Sequence, residues 1–277
     1  MSRELSGPVG VVVSLWRYPV KSMLGEELNS SAVNERGLAG DRSRALVDRT
    51  DDKIVSAKNP KKWPALFQCR AAFVDPPIVD GPLPAVRITL PHGETVLSSQ
   101  TDVHDVLSHA LKRQVRLETS APKAPQLEEY WPDMEDLAHR DAVTDESMLA
   151  ETFFDGASVH LLTTATLDTL RRAHPEGRFE VRRFRPNIVV RPTSAEPGFV
   201  EQSWIGGIVS LGEKVRLRIA RPCPRCVMTT LAQSDLPHDP GILRTAAKVT
   251  QTHVGVYAAV LQGGVIHCGD AIRIESV

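Results

Sequence analysis

Arg221-Pro-Cys-Pro-Arg-Cys226 places two cysteines at C-x-x-C spacing, flanked by two arginines. Three chemistries compete for such a stretch. The first is half of a structural zinc site. Completing it takes two more ligands. The available pair, His267 and Cys268, are sequence neighbours that would point to opposite faces of a strand. The second is a dithiol redox pair, a motif that normally opens a helix. Here Val227-Met-Thr-Thr-Leu231 follows and reads as a strand. The third is a single exposed thiolate ligand at Cys226, where the neighbouring Arg225 guanidinium would favour thiolate over thiol. The bland alternative is two buried structural thiols. Spacing alone does not choose among them.

Three polar clusters lie far from this stretch and from one another: Tyr18-Pro-Val-Lys-Ser22, Gly40-Asp-Arg42, and Arg182-Arg-Phe-Arg-Pro-Asn187 running into Ile188-Val-Val-Arg191. Each sets a cation beside a strand end or turn, where backbone N–H groups are free to meet an anion. Taken singly, each is equally well read as solvated surface charge, and that reading is expected for Arg182, Arg183 and Arg191 in any case. Thr163 and Thr164 stand where a helix should begin. Capping is the simple role there, and a helix start also suits an anion.

The elements that must position these residues are mostly strands. Val9 to Trp16 is rich in β-branched residues and stops at Tyr18-Pro19. Short strands are expected at 44–48, 68–74, 86–90 and 95–98, with a turn at His92-Gly93 between the last two. Apolar residues Val103, Val106, Leu107, Ala110 and Leu111 share one helical face, started by Thr101 or Asp102. A strand at 115–118 follows. Ala121 to Pro125 and the acidic run Glu128 to Asp136 read as a linker or long loop, although Tyr130 and Trp131 suggest that part of it packs. Further strands are expected at 158–162, 187–191, 215–220, 227–231, 257–261 and 271–275, with a helix after Thr163 or Thr164 that turns Leu167 and Leu170 inward. Many short strands and few helices imply barrels or a sandwich.

A chain of 277 residues can bury one large core or two smaller ones. A net charge of -1 gives no global field for nucleic acid, and 5% aromatic residues leave few stacking platforms. Met1 to Gly10 is not a signal peptide, and no apolar run approaches the ~20 residues that span a bilayer. A cytoplasmic protein with reduced thiols at Cys69, Cys223, Cys226 and Cys268 is expected, with no nucleic-acid or membrane partner. G-x-G-x-x-G, P-loop and H-E-x-x-H motifs are absent.

Taken together, Tyr18-Pro-Val-Lys-Ser22, Gly37-Leu-Ala-Gly-Asp-Arg42, Phe184-Arg-Pro-Asn-Ile-Val189, Pro222-Cys-Pro-Arg-Cys226 with Thr229-Thr230, and Gly255-Val-Tyr257 with Gly269-Asp270 resemble the MOSC superfamily. The resemblance is to members that begin with a MOSC N-terminal β-barrel domain, among them amidoxime-reducing components. The motifs occur in family order across nearly the whole chain. The resemblance implies a mainly β fold with peripheral helices: a MOSC N-terminal β-barrel-like domain at 8–120, a linker at 121–140 and a MOSC barrel domain at 141–277. It implies a bound molybdenum cofactor (Mo-molybdopterin), with no pyridoxal phosphate site. Cys226 is implied as the molybdenum ligand and catalytic residue. Lys21, Ser22, Arg42, Thr163, Thr164, Arg185, Asn187 and Arg225 are implied as the cofactor-binding set. Asp235 is the candidate for an acid that relatives place sooner after the two threonines. The implied activity is reduction of N-oxygenated or N-hydroxylated small molecules. Electrons would come from a separate donor protein of ferredoxin, flavoprotein or cytochrome type, because no cluster-binding domain with plant-type cysteine spacing is present. A cofactor carrier or sulfur-transfer protein using a cysteine persulfide is the alternative. The shared set spans both halves of the chain, so the cofactor is expected between them.

Overall fold

A computed structural model of the chain describes residues 7–135, 137–195 and 197–275. The expectation for the first ten residues therefore lies largely outside the described residues, as does Asp136. The first strand, β1 (Gly10–Arg17), buries Val12 and Leu15, and its register shifts between Val12 and Ser14. The residues after it build the first half. Ala45–Asp48 pairs with Val115–Glu118, and Arg70–Phe73, Val86–Thr89 and Thr95–Leu97 form a meander. Helix α1 (Val103–Leu111) closes this half by burying Val103, Leu107 and Leu111. Gly93 makes the turn between the last two meander strands at φ +87°.

The second half is a closed barrel. Strand β2 (Val159–Thr163) leads into α2 (Thr164–Ala173) and the single turn α3 (Val181–Phe184). The chain then returns as β3 (Ile188–Pro192) parallel to β2, the crossover that a parallel pair requires. Strands β4 (Ile208–Leu211) and β5 (Val215–Pro224) form a hairpin, α4 (Gly241–Thr250) packs outside, and β6 (His253–Gln262) and β7 (Ala271–Glu275) complete the wall. The order β3-β2-β6-β5-β4-β7-β1 closes through pairing of β1 with β3, so this sheet has seven strands in a ring. Closure removes the unpaired edges that an open sheet exposes. Its lumen is filled by Leu15, Leu161, Ile188, Leu217, Val256 and Ile272, each shielded from solvent. Fully burying one such side chain is worth about 1.5–3 kcal/mol.

The halves interlock. The N-terminal strand β1 closes the barrel of the C-terminal half, and Ser30–Asn34 pairs with Gly264–His267. The segment expected to link them is a β-hairpin, Gln126–Trp131 with Ala142–Ser147. Its alternation of Leu127, Glu129 and Trp131 with outward residues supplies a face to pack, which an acidic composition alone concealed. Helix α4 was not expected from the sequence, although Ile242, Leu243, Ala246 and Ala247 form its buried stripe. Among the described residues no helix is long and apolar enough to cross a membrane.

Candidate functional site

The loop after β1 and the loop at 40–44 are zipped together. Arg42 N–H donates to Tyr18 O at 2.8 Å, Lys21 N–H to Arg44 O at 2.8 Å, and Tyr18 N–H to Asp41 Oδ1 at 2.7 Å. Asn187, one residue before β3, locks this pair to the barrel. Its amide donates to Trp16 O and Asp41 Oδ2, and its Oδ1 accepts from His160 N–H at 3.1 Å. Ser22, Arg42 and Arg185 all adopt left-handed backbone conformations, at φ +64°, +44° and +53°. Such conformations cost non-glycine residues free energy and persist where surrounding contacts over-determine them. Three of them in the expected set mark a rigidly built site.

The side chains of these loops form a buried basic floor. Arg185 stacks on the Tyr18 ring at 4.1 Å and donates to Met23 O at 2.7 Å. Burial lowers its pKa to about 10, which leaves it charged at neutral pH. Arg42 lies 5.0 Å from the same ring and is paired with Asp41. Lys21 is 3% exposed, and its Nζ meets Asp155 Oδ1 at 2.5 Å and Phe153 O at 3.2 Å. Burial lowers the Lys21 pKa against the pull of Asp155. Burial also works against the charge on Asp155, but Lys21 and Lys58 outweigh it and hold the carboxyl well below its ordinary range. Ser22 Oγ accepts from Ala57 N–H at 3.1 Å, which pins the segment that carries Lys58.

Beside this floor, β5 ends and the chain turns. The strand runs through Arg221-Pro-Cys-Pro224, further than the sequence suggested. Val227–Thr230 is a 3-10 turn, not the expected strand. The Thr229 and Thr230 hydroxyls donate to Cys226 O and Val227 O, closing the turn locally and overriding the β-branched composition. Arg183 was expected on the surface. It is fully buried and donates to the carbonyls of Arg178, Thr229, Leu231 and Pro237, so it fastens the segment after Cys226 from beneath.

The two cysteines differ sharply. Cys223 is sealed from solvent, with Arg225 Nη1 at 2.8 Å from its sulfur. Burial alone would raise its pKa, but Arg225 and His160 overcome that and bring it to about 6. Gly255, at φ +81°, leaves the room that the His160 ring occupies. Cys226 is partly exposed, and burial together with Glu129 raises its thiol to about 11. The guanidinium expected to activate Cys226 therefore serves Cys223. Arg225 Nη1 reaches Cys223 Sγ, and its Nη2 is held by Phe184 O at 2.9 Å.

Cys226 and Arg225 open into a cavity of about 450 Å³. Lys58 from the first half, Glu129 from the hairpin, and Asp155 and Tyr257 from the second half also line it. Asp155 joins the cavity to the floor, because it carries the ion pair with Lys21. Lys58 Nζ lies 2.8 Å from Glu129 Oε2. Burial disfavours the Lys58 charge, yet Asp155, Cys226 and Glu129 hold its pKa well above the usual lysine value. Arg225 Nη2 donates to Phe184 O at 2.9 Å, and its Nε is buried with no partner among the described residues. A surplus of buried cations and an orphaned guanidinium nitrogen fit an anionic group bearing a phosphate. A soft sulfur at the cavity wall fits a metal that already carries sulfur ligands.

Of the expected set only Arg225 and Cys226 line the cavity; Lys21, Ser22, Arg42, Arg185 and Asn187 pack behind it, tied to it by the Lys21–Asp155 pair, and Arg185 with Tyr18 lines a second, smaller space. Thr163 and Thr164 are not brought into the cavity lining. Thr163 caps α2, accepting from Thr166 N–H at 3.2 Å, and donates to the buried Glu201 at 2.6 Å. Asp235 is on the surface, paired with Arg178 and Arg182 at 2.7 and 2.8 Å. His267 and Cys268 are exposed and pair with the 29–31 region, far from a shared ligand sphere with Cys223. Among the described residues no group of three metal-ligating side chains converges. Sequence reasoning missed Lys58, Glu129 and Asp155. Ordinary charged residues in loops carry no spacing signal, and only the Phe153-Phe154-Asp155 run hints at a carboxylate anchored beside apolar packing.

The family pattern described as the MOSC N-terminal beta barrel domain matches residues 9–124, and the MOSC domain pattern matches 150–273. Mitochondrial amidoxime reducing component 2 of Bos taurus is 27% identical over 240 residues, covering 80% of this chain and 67% of that protein. The Homo sapiens protein of the same name is 25% identical over 236 residues, with the same coverage. The chain spans about two thirds of the length of these relatives. Among solved structures, the YUAD protein from Bacillus subtilis superposes with a TM-score of 0.48 at 10% identity, covering 100% of this chain and 98% of that one. With both patterns in order along a mainly β chain built around a seven-strand barrel, the protein belongs to the MOSC family, in the group that carries a MOSC N-terminal barrel domain and is related to the mitochondrial amidoxime-reducing components.

Proposed function

We propose that this chain is a molybdenum-cofactor-binding oxidoreductase that reduces N-hydroxylated or similar N-oxygenated small molecules, with electrons from a separate donor protein. The observation that carries this reading is the placement of Cys226 at the wall of a cavity that Lys58 from the first half and Arg225 from the second also line, and that Asp155 ties to the buried Lys21. When bound, the cofactor supplies the two-electron centre that accepts the oxygen. The chain's residues hold and shield it. Cys226 ligates the metal, and its raised pKa means that binding must expel the thiol proton. Lys21, Arg42, Arg185 and Arg225 supply positive charge and donors. Ser22 and Asn187 fix the backbone that presents them, since their hydrogen bonds run to protein atoms. Asp41 and Asp155 keep the cations aimed in the free protein. The cavity is then the substrate chamber. The 8–120 and 141–277 division, with the site between, is part of this proposal.

The test is molybdenum and pterin content of the full chain purified from a cofactor-competent host, followed by reduction of an N-hydroxylated compound with a reduced viologen. Stoichiometric molybdenum, lost in Cys226→Ala, is the expected result. Equal molybdenum in the variant, or none in the native protein, overturns it.

A further inference from the structure

The second, smaller space between the halves shares no lining residue with the Cys226 cavity. Trp16, Leu24, Gly25 and Arg70 line it from the first half, with Arg182 and Gln233 from the second. Gln233 is 2% exposed, and neither its Nε2 nor its Oε1 has a hydrogen-bond partner among the described residues. Its main chain is fixed. Gln233 N–H donates to Leu236 O at 3.0 Å, and Leu236 N–H donates back to Gln233 O at 2.8 Å. Arg183 holds Leu231 O and Pro237 O on either side of this turn. A carboxamide is thus held against the cleft with both ends unpaired, a costly arrangement that calls for a ligand.

Positive charge surrounds that amide. Arg182 is already balanced by Glu180 and Asp235. Arg70 donates to Gly25 O at 3.1 Å and Arg185 to Met23 O at 2.7 Å, and among the described residues neither forms an ion pair with a carboxylate. The space measures about 20 Å³, room for about one water-sized oxygen. A water there would meet the amide and leave both guanidiniums without an anion. An oxyanion that inserts one oxygen and keeps the others at the mouth would satisfy all three groups.

We propose that this cleft binds hydrogen phosphate, with one protonated oxygen set against the Gln233 carboxamide and the others on Arg70 and Arg185. Both ends of a carboxamide are used only by a group that accepts from Nε2 and donates to Oε1, and a P–OH does both. Inorganic phosphate carries at least one proton throughout the neutral range. Sulfate carries none there and leaves Oε1 unpaired. A phosphomonoester, with its second pKa near ~6, has mostly lost its own. The bound anion would brace the turn at 233–236 against the loop at 24–25, joining the two halves. Arg185 also belongs to the proposed cofactor set, so the test includes molybdenum-loaded protein.

The experiment is calorimetric titration of the full chain, cofactor-free and molybdenum-loaded, with sodium phosphate and sodium sulfate at neutral pH in a phosphate-free buffer. Phosphate is expected to bind about tenfold more tightly than sulfate, which forfeits one buried bond, and to raise the unfolding temperature. Gln233→Leu removes the unpaired amide from the interior, so it should fold at least as well, and it should bring phosphate down to the sulfate level. Arg70→Gln should weaken both anions about fivefold and leave their ratio unchanged. No phosphate binding, which leaves the cleft to water, overturns the inference. Phosphate bound no better than sulfate marks an adventitious ion only and overturns it, as does a preference that survives in Gln233→Leu. Loss of binding in molybdenum-loaded protein overturns it by making the cleft part of the cofactor site. If the chain takes up no molybdenum, the proposed reaction fails and the cofactor-free titration still decides.

Discussion

Cys223 and Cys226 are three residues apart, flank the same guanidinium, and end in opposite states. Cys223 is sealed at the end of β5 against Arg225 and His160, and its pKa falls to about 6. Cys226 sits at the start of the following turn, faces the cavity and Glu129, and its pKa rises to about 11. Both pay for burial; what separates them is which charges the fold aims at each sulfur. The buried thiolate is a counter-ion that holds Arg225 in place. The cavity thiol is neutral in the free protein and waits for a partner able to displace its proton.

The largest expected effect breaks the pair at Cys226. Cys226→Ala should lower molybdenum retention on the order of a hundredfold while the fold is kept, whereas Cys223→Ala should retain metal in whatever fraction remains folded; metal content per folded protein checks this. Next comes the anchor beneath the turn. Arg183→Met strands four carbonyl acceptors and should cost about 3–5 kcal/mol in denaturant unfolding. Cys223→Ala leaves the Arg225 charge buried without its anion and should cost about 3 kcal/mol in the same assay.

The pH dependence sharpens the contrast, because the two thiols act with opposite signs in the metal-free chain. An unfolded thiol titrates near ~8.5. The Cys223 pKa is depressed to about 6, so its contribution is complete above the unfolded value and is lost as pH falls through about 6. The Cys226 pKa is raised to about 11, so its contribution is complete below the unfolded value and is lost as pH rises through about 11. The stability difference between native and Cys223→Ala should therefore shrink on acidification, and that between native and Cys226→Ala should shrink at alkaline pH. Matching slopes for the two variants would break the comparison. The smallest effect is expected at Asp235→Asn, within ~0.5 kcal/mol, because its ion pairs are exposed.

Much of the fold was legible because its signals are local. The β-branched run of β1, the capping threonine before α2, the stripe of Val103, Leu107 and Leu111, and the His92-Gly93 turn each have a short-range cause. Failures came where side chains or partners overrode composition. Thr229 and Thr230 turned a strand-like run into a 3-10 turn through their own hydroxyls. The acidic segment after residue 125 became a hairpin because Lys53, Lys58 and Lys62 neutralise it from another part of the chain. Arg183 looked like one more surface cation until four carbonyls from distant loops surrounded it.

By itself the sequence determined the first strand, the turn at His92-Gly93, the helix at 103–111 and the identities of the reactive and basic residues, since each is written in a few neighbouring side chains. Only the tertiary structure decided which thiol receives Arg225, which carboxylates balance Lys21 and Lys58, and which hairpin walls the cavity. Those outcomes depend on burial and on distances between groups remote along the chain, and electrostatic energy is set by such distances and by the local exclusion of water, neither of which is encoded in spacing.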